Sequence, residues 1–114
     1  MERRFRLHQA SDFARLRREG HEYRHSLFVI CLATNELPYN RYGFIVARRL
    51  GKAVVRNKVR RQLREVVRLL HPNLNTGYDV IIIVRPPIVG QPFSNVYCAV
   101  SGVFRQAAVM IDKL

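Results

Sequence analysis

The sequence predicts an α+β domain, a two-layer sandwich in the order α-β-β-α-β-α with helices packed on a mixed sheet. Three observations carry that reading. Two apolar runs, 27–33 and the β-branched 78–84, read as buried strands. Residues 53–70 repeat their apolar side chains at helical spacing. The chain has 114 residues, which suits one domain over 1–114, and 48% apolar content is enough for a core.

Each element has a local reason. A first helix is expected over 11–19, with Ser11 as N-cap, Asp12 in the first turn and Gly20 closing it. The apolar run 27–33 follows as a strand buried on both faces, then turn residues over 34–40. A second strand over 42–47 ends in Arg48-Arg49, and Gly51 breaks the chain. The long helix over 53–70 is stopped by His71-Pro72, because proline pushes the preceding residue out of helical geometry. After the loop 73–77 comes the strand 78–84, whose composition predicts a central place in the sheet. Pro86-Pro87 end it. A last helix over 94–110 carries Val96, Val100, Val103, Phe104 and Ala107 on one side, although Gly102 weakens it by about 1 kcal/mol relative to Ala. The second and third strands are joined through a helix. If they are parallel, general sterics favour a right-handed crossover.

Charge is the unusual property. Twenty Lys and Arg stand against eight Asp and Glu, a formal net charge of +12. Such an excess repels itself in a folded chain and points to a polyanionic partner, nucleic acid before membrane. Most of it is Arg, whose planar fork suits phosphate and whose flat face stacks on bases. Cys31 and Cys98 form no metal-ligand spacing, so both are read as buried thiols in a reducing cytoplasm. No signal peptide is read at the N-terminus, and no apolar run approaches the roughly 18 residues that span a bilayer.

The segment from Arg48 to Arg68 concentrates the charge: nine Lys or Arg and one acid, Glu65. On a helix, Val55, Val59, Leu63, Val66, Val67 and Leu70 share one apolar arc, whereas Asn57, Arg60, Arg61, Arg64 and Arg68 lie opposite. Arg56 falls at the boundary. Like charges one turn apart destabilise a helix, and a phosphate backbone would reverse that cost. Solvated helix faces usually mix signs, whereas this segment sets one acid against nine bases. Zinc-finger spacing, leucine heptads, an evident helix-turn-helix and the RNP1 pattern of an RNA-recognition motif are absent, so charge alone leaves RNA and DNA open.

The run Arg48-Arg-Leu-Gly-Lys-Ala-Val-Val-Arg-Asn-Lys-Val-Arg-Arg-Gln-Leu-Arg-Glu65 resembles the signature of the bacterial ribonuclease P protein family, in which a basic pair and Gly precede an Arg-Asn-Arg motif. Arg6-Leu7, Asp12-Phe13 and Gly20 resemble that family's N-terminal segment. Tyr42-Gly-Phe-Ile-Val and the strand at 78–86 resemble its flanking strands, and the similarity covers about residues 5–108. The resemblance implies an extra short strand and an uncommon left-handed crossover at the basic helix (a ribosomal protein S5 domain 2-like fold). It implies a subunit that binds a catalytic RNA and helps remove the 5′ leader of precursor tRNA. The hydrolysis is carried out with Mg²⁺ held mainly by the RNA. Arg48, Arg49, Lys52, Arg56, Asn57, Lys58, Arg60, Arg61, Arg64 and Arg68 would contact the catalytic RNA. Phe13, Arg17 and Phe28 would serve a leader cleft between the first helix and the sheet. Lys58 stands where the family has Arg, and keeps the charge without the fork. Arg17 and Cys31 stand where some members have aromatics, which shifts leader contact toward Arg and away from stacking.

No Ser/His/Asp set, paired acids or Gly-rich phosphate loop stands out, so no catalytic or metal-binding residue is assigned. His8, His21, His25 and His71 are scattered, and Tyr42 and Phe44 read as sheet packing. Catalytic RNA and precursor tRNA are the expected partners, with no membrane and no obligate protein partner. The same basic helix would also serve a non-enzymatic RNA-binding protein of ribosomal or nucleoid type.

Overall fold

A computed structural model describes residues 2–110. Its strands are β1 (His21–Arg24), β2 (Phe28–Thr34), β3 (Arg41–Ile45) and β4 (Tyr78–Val84), and its helices are α1 (Ala10–Glu19), α2 (Ala53–Leu70) and α3 (Phe93–Gln106). The sheet order is β1-β2-β4-β3. β1–β2 and β2–β4 are antiparallel, and β3–β4, joined through α2, is parallel. The β-branched strand β4 is central, as its composition predicts.

Strand alternation divides the core. Phe28, Ile30 and Leu32 of β2, with Val80, Ile82 and Val84 of β4, face α2 and α3 in the main core. Cys31 and Ile81 point to the other face, where Leu16 of α1 and Leu7 cover them. The sheet is thus backed by α2 and α3, while α1 lies across part of its opposite face.

Several expectations are corrected here. α1 begins at Ala10, with Gln9 as a cap that makes no side-chain bond; the Asp12 and Phe13 amides bond the Gln9 carbonyl, so Ser11 is inside the helix. α3 stops at Gln106, and Ala108 takes a positive φ of 58°. The predicted last turn is replaced by an extended approach of Met110 to Leu74. Cys98 is exposed, not buried. It sits two residues from Val96, on the far side of the stripe formed by Val96, Val100, Val103 and Phe104.

Two polar networks tie the layers together. Asp79, at 0% exposure, accepts from Arg41 at 2.8 and 2.9 Å, from Arg15 of α1 and from Asn35 at 2.8 Å. A buried carboxylate is tolerated only when so surrounded. On the other face, buried Asn40 accepts the Tyr78 amide and donates to the Asn75 carbonyl and to the Tyr42 hydroxyl. The Tyr42 hydroxyl in turn meets His71 Nδ1 at 2.8 Å. Asn40 occupies one lone pair of that hydroxyl, and its proton remains available to the lone pair of a neutral His71 imidazole. Burial pushes the Tyr42 pKa up to about 12 and holds His71 below its ordinary 6.5.

Asp79→Asn is expected to cost on the order of 3 kcal/mol in urea unfolding, because two guanidinium groups lose their shared counter-charge and one of its two acceptor oxygens. Arg15→Met should cost less, since Arg41 still pairs the carboxylate. His71 contributes stability that is present above 6.5 and lost as pH falls through its lower folded value. The stability difference between wild type and His71→Gln should therefore shrink on acidification below 6.5; a pH-independent difference would contradict a half-buried imidazole that stays neutral in the fold.

Candidate nucleic-acid interface

α2 presents the basic motif because its other side is fixed. Val59, Leu63, Val66, Val67 and Leu70 are buried, and Val55 is half-buried against Gly51. Gly51 has φ 149° and ψ −168°, a conformation only glycine adopts readily, and it turns the chain from the short Arg48–Leu50 helical turn into α2. Arg48, Arg49 and Lys52 are consequently displayed at the helix entrance, all exposed.

Along the helix, Asn57, Lys58, Arg61, Arg64 and Arg68 are exposed, and Arg56 and Arg60 are partly covered. Their states differ. Arg60 reaches back to the Asn57 carboxamide at 3.3 Å. Arg68 is held by Glu65 through two hydrogen bonds, which lowers the Glu65 pKa and raises that of Arg68. Arg61 and Arg64 form no hydrogen bond or ion pair with any described residue. Arg56, at the edge of the apolar arc, has its Nε buried without a partner among the described residues. The structure therefore brings the predicted residues onto one helix and its entrance, where Arg61 and Arg64, like Arg48, Arg49, Lys52 and Lys58, are exposed and unpaired among the described residues.

The arginine face also forms one wall of a cavity of about 310 Å³. Arg60, Arg61, Arg64 and Arg68 line it from α2, and Phe5, Phe13 and Phe44 line it from the N-terminal segment, α1 and β3. Phe13 comes close because Gly43 has no side chain: a Cβ there would lie 2.7 Å from the Phe13 ring. A second depression, of about 330 Å³, lies on the α1 face of the sheet and is lined by Arg17, Glu22, Arg24, Val29, Cys31 and Arg85 among others. Burial, and secondarily Glu22, raise the Cys31 pKa, so this thiol is not an activated nucleophile.

The expected leader residues are thus separated. Arg17 lies in the second depression and Phe13 in the first. Phe28 is in neither: it is 0% exposed, stacked on His25 at 4.9 Å, and faces α2 and α3. The expectation for Phe28 is corrected by parity, since Val29 and Cys31 are the β2 residues on the α1 side. Arg24 and Arg85 were missed in the sequence, because β1 has no apolar run to reveal it and Arg85 lies beyond the strand end. Among the described residues, no group of three or more His, Cys, Asp or Glu comes together as a metal site.

Comparison with known proteins agrees with the basic motif. A family model for ribonuclease P matches residues 1–108. The ribonuclease P protein component of Chloroflexus aggregans is 40% identical over 111 residues, covering 96% of this chain and 82% of its own. That of Roseiflexus castenholzii is 38% identical, covering 96% and 91%. Among solved structures, the RNase P protein of Staphylococcus aureus superposes with a TM-score of 0.85 at 29% identity, covering 93% of this chain and 97% of its own. The RNase P protein from Thermotoga maritima gives 0.82 at 28%, covering 89% and 96%. With motif, fold and near full-length similarity in agreement, this chain belongs to the ribonuclease P protein family, as the accessory protein subunit of the endoribonuclease that matures tRNA 5′ ends.

Proposed function

We propose that α2 is the surface that grips the catalytic RNA of ribonuclease P, and that the α1 face of the sheet receives the 5′ leader of precursor tRNA. The observation that carries the first part is the row of exposed guanidinium groups on a helix whose opposite side is packed on the core from Val59 to Leu70. Arg61 and Arg64 need no rearrangement to meet phosphate, and the loss of their mutual repulsion favours binding further. Arg48, Arg49 and Lys52 extend the same surface, with Arg56, Asn57, Lys58, Arg60 and Arg68 as flanking contacts.

The second part rests on the depression around Arg17. Its guanidinium groups, Arg17, Arg24 and Arg85, surround an apolar floor of Val29 and Cys31. That combination suits single-stranded RNA, with phosphates on the rim and bases over the floor. Phe13 stands at the other end of α1, where a strand crossing this face would reach the arginines of α2. The protein's own work in this reading is to bind and align. Magnesium ions, held mainly by the RNA, would supply the hydrolytic chemistry. The particle would act in the cytoplasm with its tRNA substrate.

Arg61→Ala or Arg64→Ala should weaken binding to the catalytic RNA and make the log–log salt dependence shallower by roughly one ion per lost phosphate contact. An unchanged slope would remove these residues from the phosphate interface. In reconstituted cleavage, Arg17→Ala and Phe13→Ala should each weaken precursor tRNA more than mature tRNA, which lacks a leader. Equal losses on both would exclude the leader from these positions.

A further inference from the structure

The cavity beside β3 has more in it than a phosphate-binding wall requires. β3 is an edge strand. The N-terminal segment pairs with it at one point, where the Leu7 amide donates to the Tyr42 carbonyl at 2.7 Å. Backbone groups alternate sides along a strand, so the N–H and C=O of Phe44, two residues on, face the same open edge. The N-terminal segment has by then turned toward α1, and no described residue pairs with Phe44 there. An unpaired backbone donor and acceptor thus border a space with aromatic walls and a rim of guanidinium groups, whose one carboxylate, Glu65, is already held by Arg68.

Phosphate alone would use only the rim. A nucleotide uses every part. Each nucleobase presents an adjacent acceptor and donor that complement one N–H and C=O pair, and its flat faces suit the rings of Phe44 and Phe13. Its phosphate meets Arg60 and Arg64. The volume of about 310 Å³ lies at the small end of organic-ligand sites, roughly 300–1,000 Å³, and suits one nucleotide rather than a helix.

We infer that this cavity captures one unpaired nucleotide of the catalytic RNA, its base edge on the Phe44 backbone and its phosphate on the arginines of α2. The inference rests on the reading that α2 binds that RNA, and adds a base pocket to it. It gives the protein a contact that depends on an unstacked base and not on charge alone.

The test is amide and arginine NMR on the whole chain, titrated into the millimolar range with adenosine 5′-monophosphate and, separately, with inorganic phosphate at matched ionic strength. The nucleotide should shift the Phe44 and Gly43 amides together with the α2 arginine Nε–H signals, and phosphate should shift only the latter. Identical responses to both would overturn base capture while leaving the phosphate surface intact. Arginine signals that respond to neither would overturn the underlying reading as well. In a second measurement, Phe44→Leu should weaken binding to the catalytic RNA, without precursor present, by about tenfold at an unchanged salt slope, because stacking releases no counterions. An unchanged affinity, or a loss seen only with precursor tRNA, would overturn the inference.

Discussion

The apolar stripe of α2 against the sheet is the contact on which the rest depends. Val59, Leu63, Val66, Val67 and Leu70 are all under 5% exposed, and together they fix the rotation of the helix about its axis. A basic helix free to roll would present its arginines in many directions and lose entropy on binding each phosphate. Here that ordering is already supplied by folding, at the expense of packing like charges along one face. Side-chain burial of this kind contributes about 1.5–3 kcal/mol per residue, far more than neighbouring arginines on a solvated surface lose to mutual repulsion.

The distribution of acids completes the arrangement. Glu2, Asp12, Glu19, Glu22 and Asp79 each pair with a cation outside α2. Most of these pairs are exposed and add little stability. Their effect is on the field: negative charge is placed near α1, β1 and the N-terminal segment, and the motif face keeps Glu65 as its one carboxylate. Glu65 is itself occupied by Arg68. Asp79 differs from the others because it is buried. By holding Arg15 and Arg41 together it fastens α1 to the β3–β4 pair, so the α1 face is anchored by charge where the α2 face is anchored by packing.

Much of this was readable in the sequence, and the failures have physical causes. The α2 stripe and its basic opposite were legible because helical periodicity survives in one dimension, and β4 because its β-branched run is long. β1 was not read from periodicity. His21-Glu-Tyr-Arg24 is a short edge strand with only Tyr23 turned inward, so it lacks an apolar signal. Phe28 was placed on the wrong face because a strand buried on both sides shows no alternation from which to fix parity. The Asp79 network joins residues 64 and 38 positions apart, a pairing no local pattern encodes. The one hint was an acid inside an otherwise apolar strand, a residue that burial permits only with partners.

The close approach of Phe13 to Gly43 has a structural consequence for how the two surfaces relate. Phe13 belongs to α1, yet it reaches the edge of β3 and helps line the cavity walled by the α2 arginines. The two helices lie on opposite faces of the sheet, and both line the cavity at this edge. A leader strand on the α1 face and a catalytic RNA on α2 would therefore approach each other at β3. The protein would act there as a ruler: the width of the sheet edge, fixed by the β3–β4 ladder, would set the distance between substrate and catalyst. Since Gly43 bonds into that ladder while admitting the Phe13 ring over its backbone, even alanine there would displace Phe13 from the cavity wall without altering a single charge.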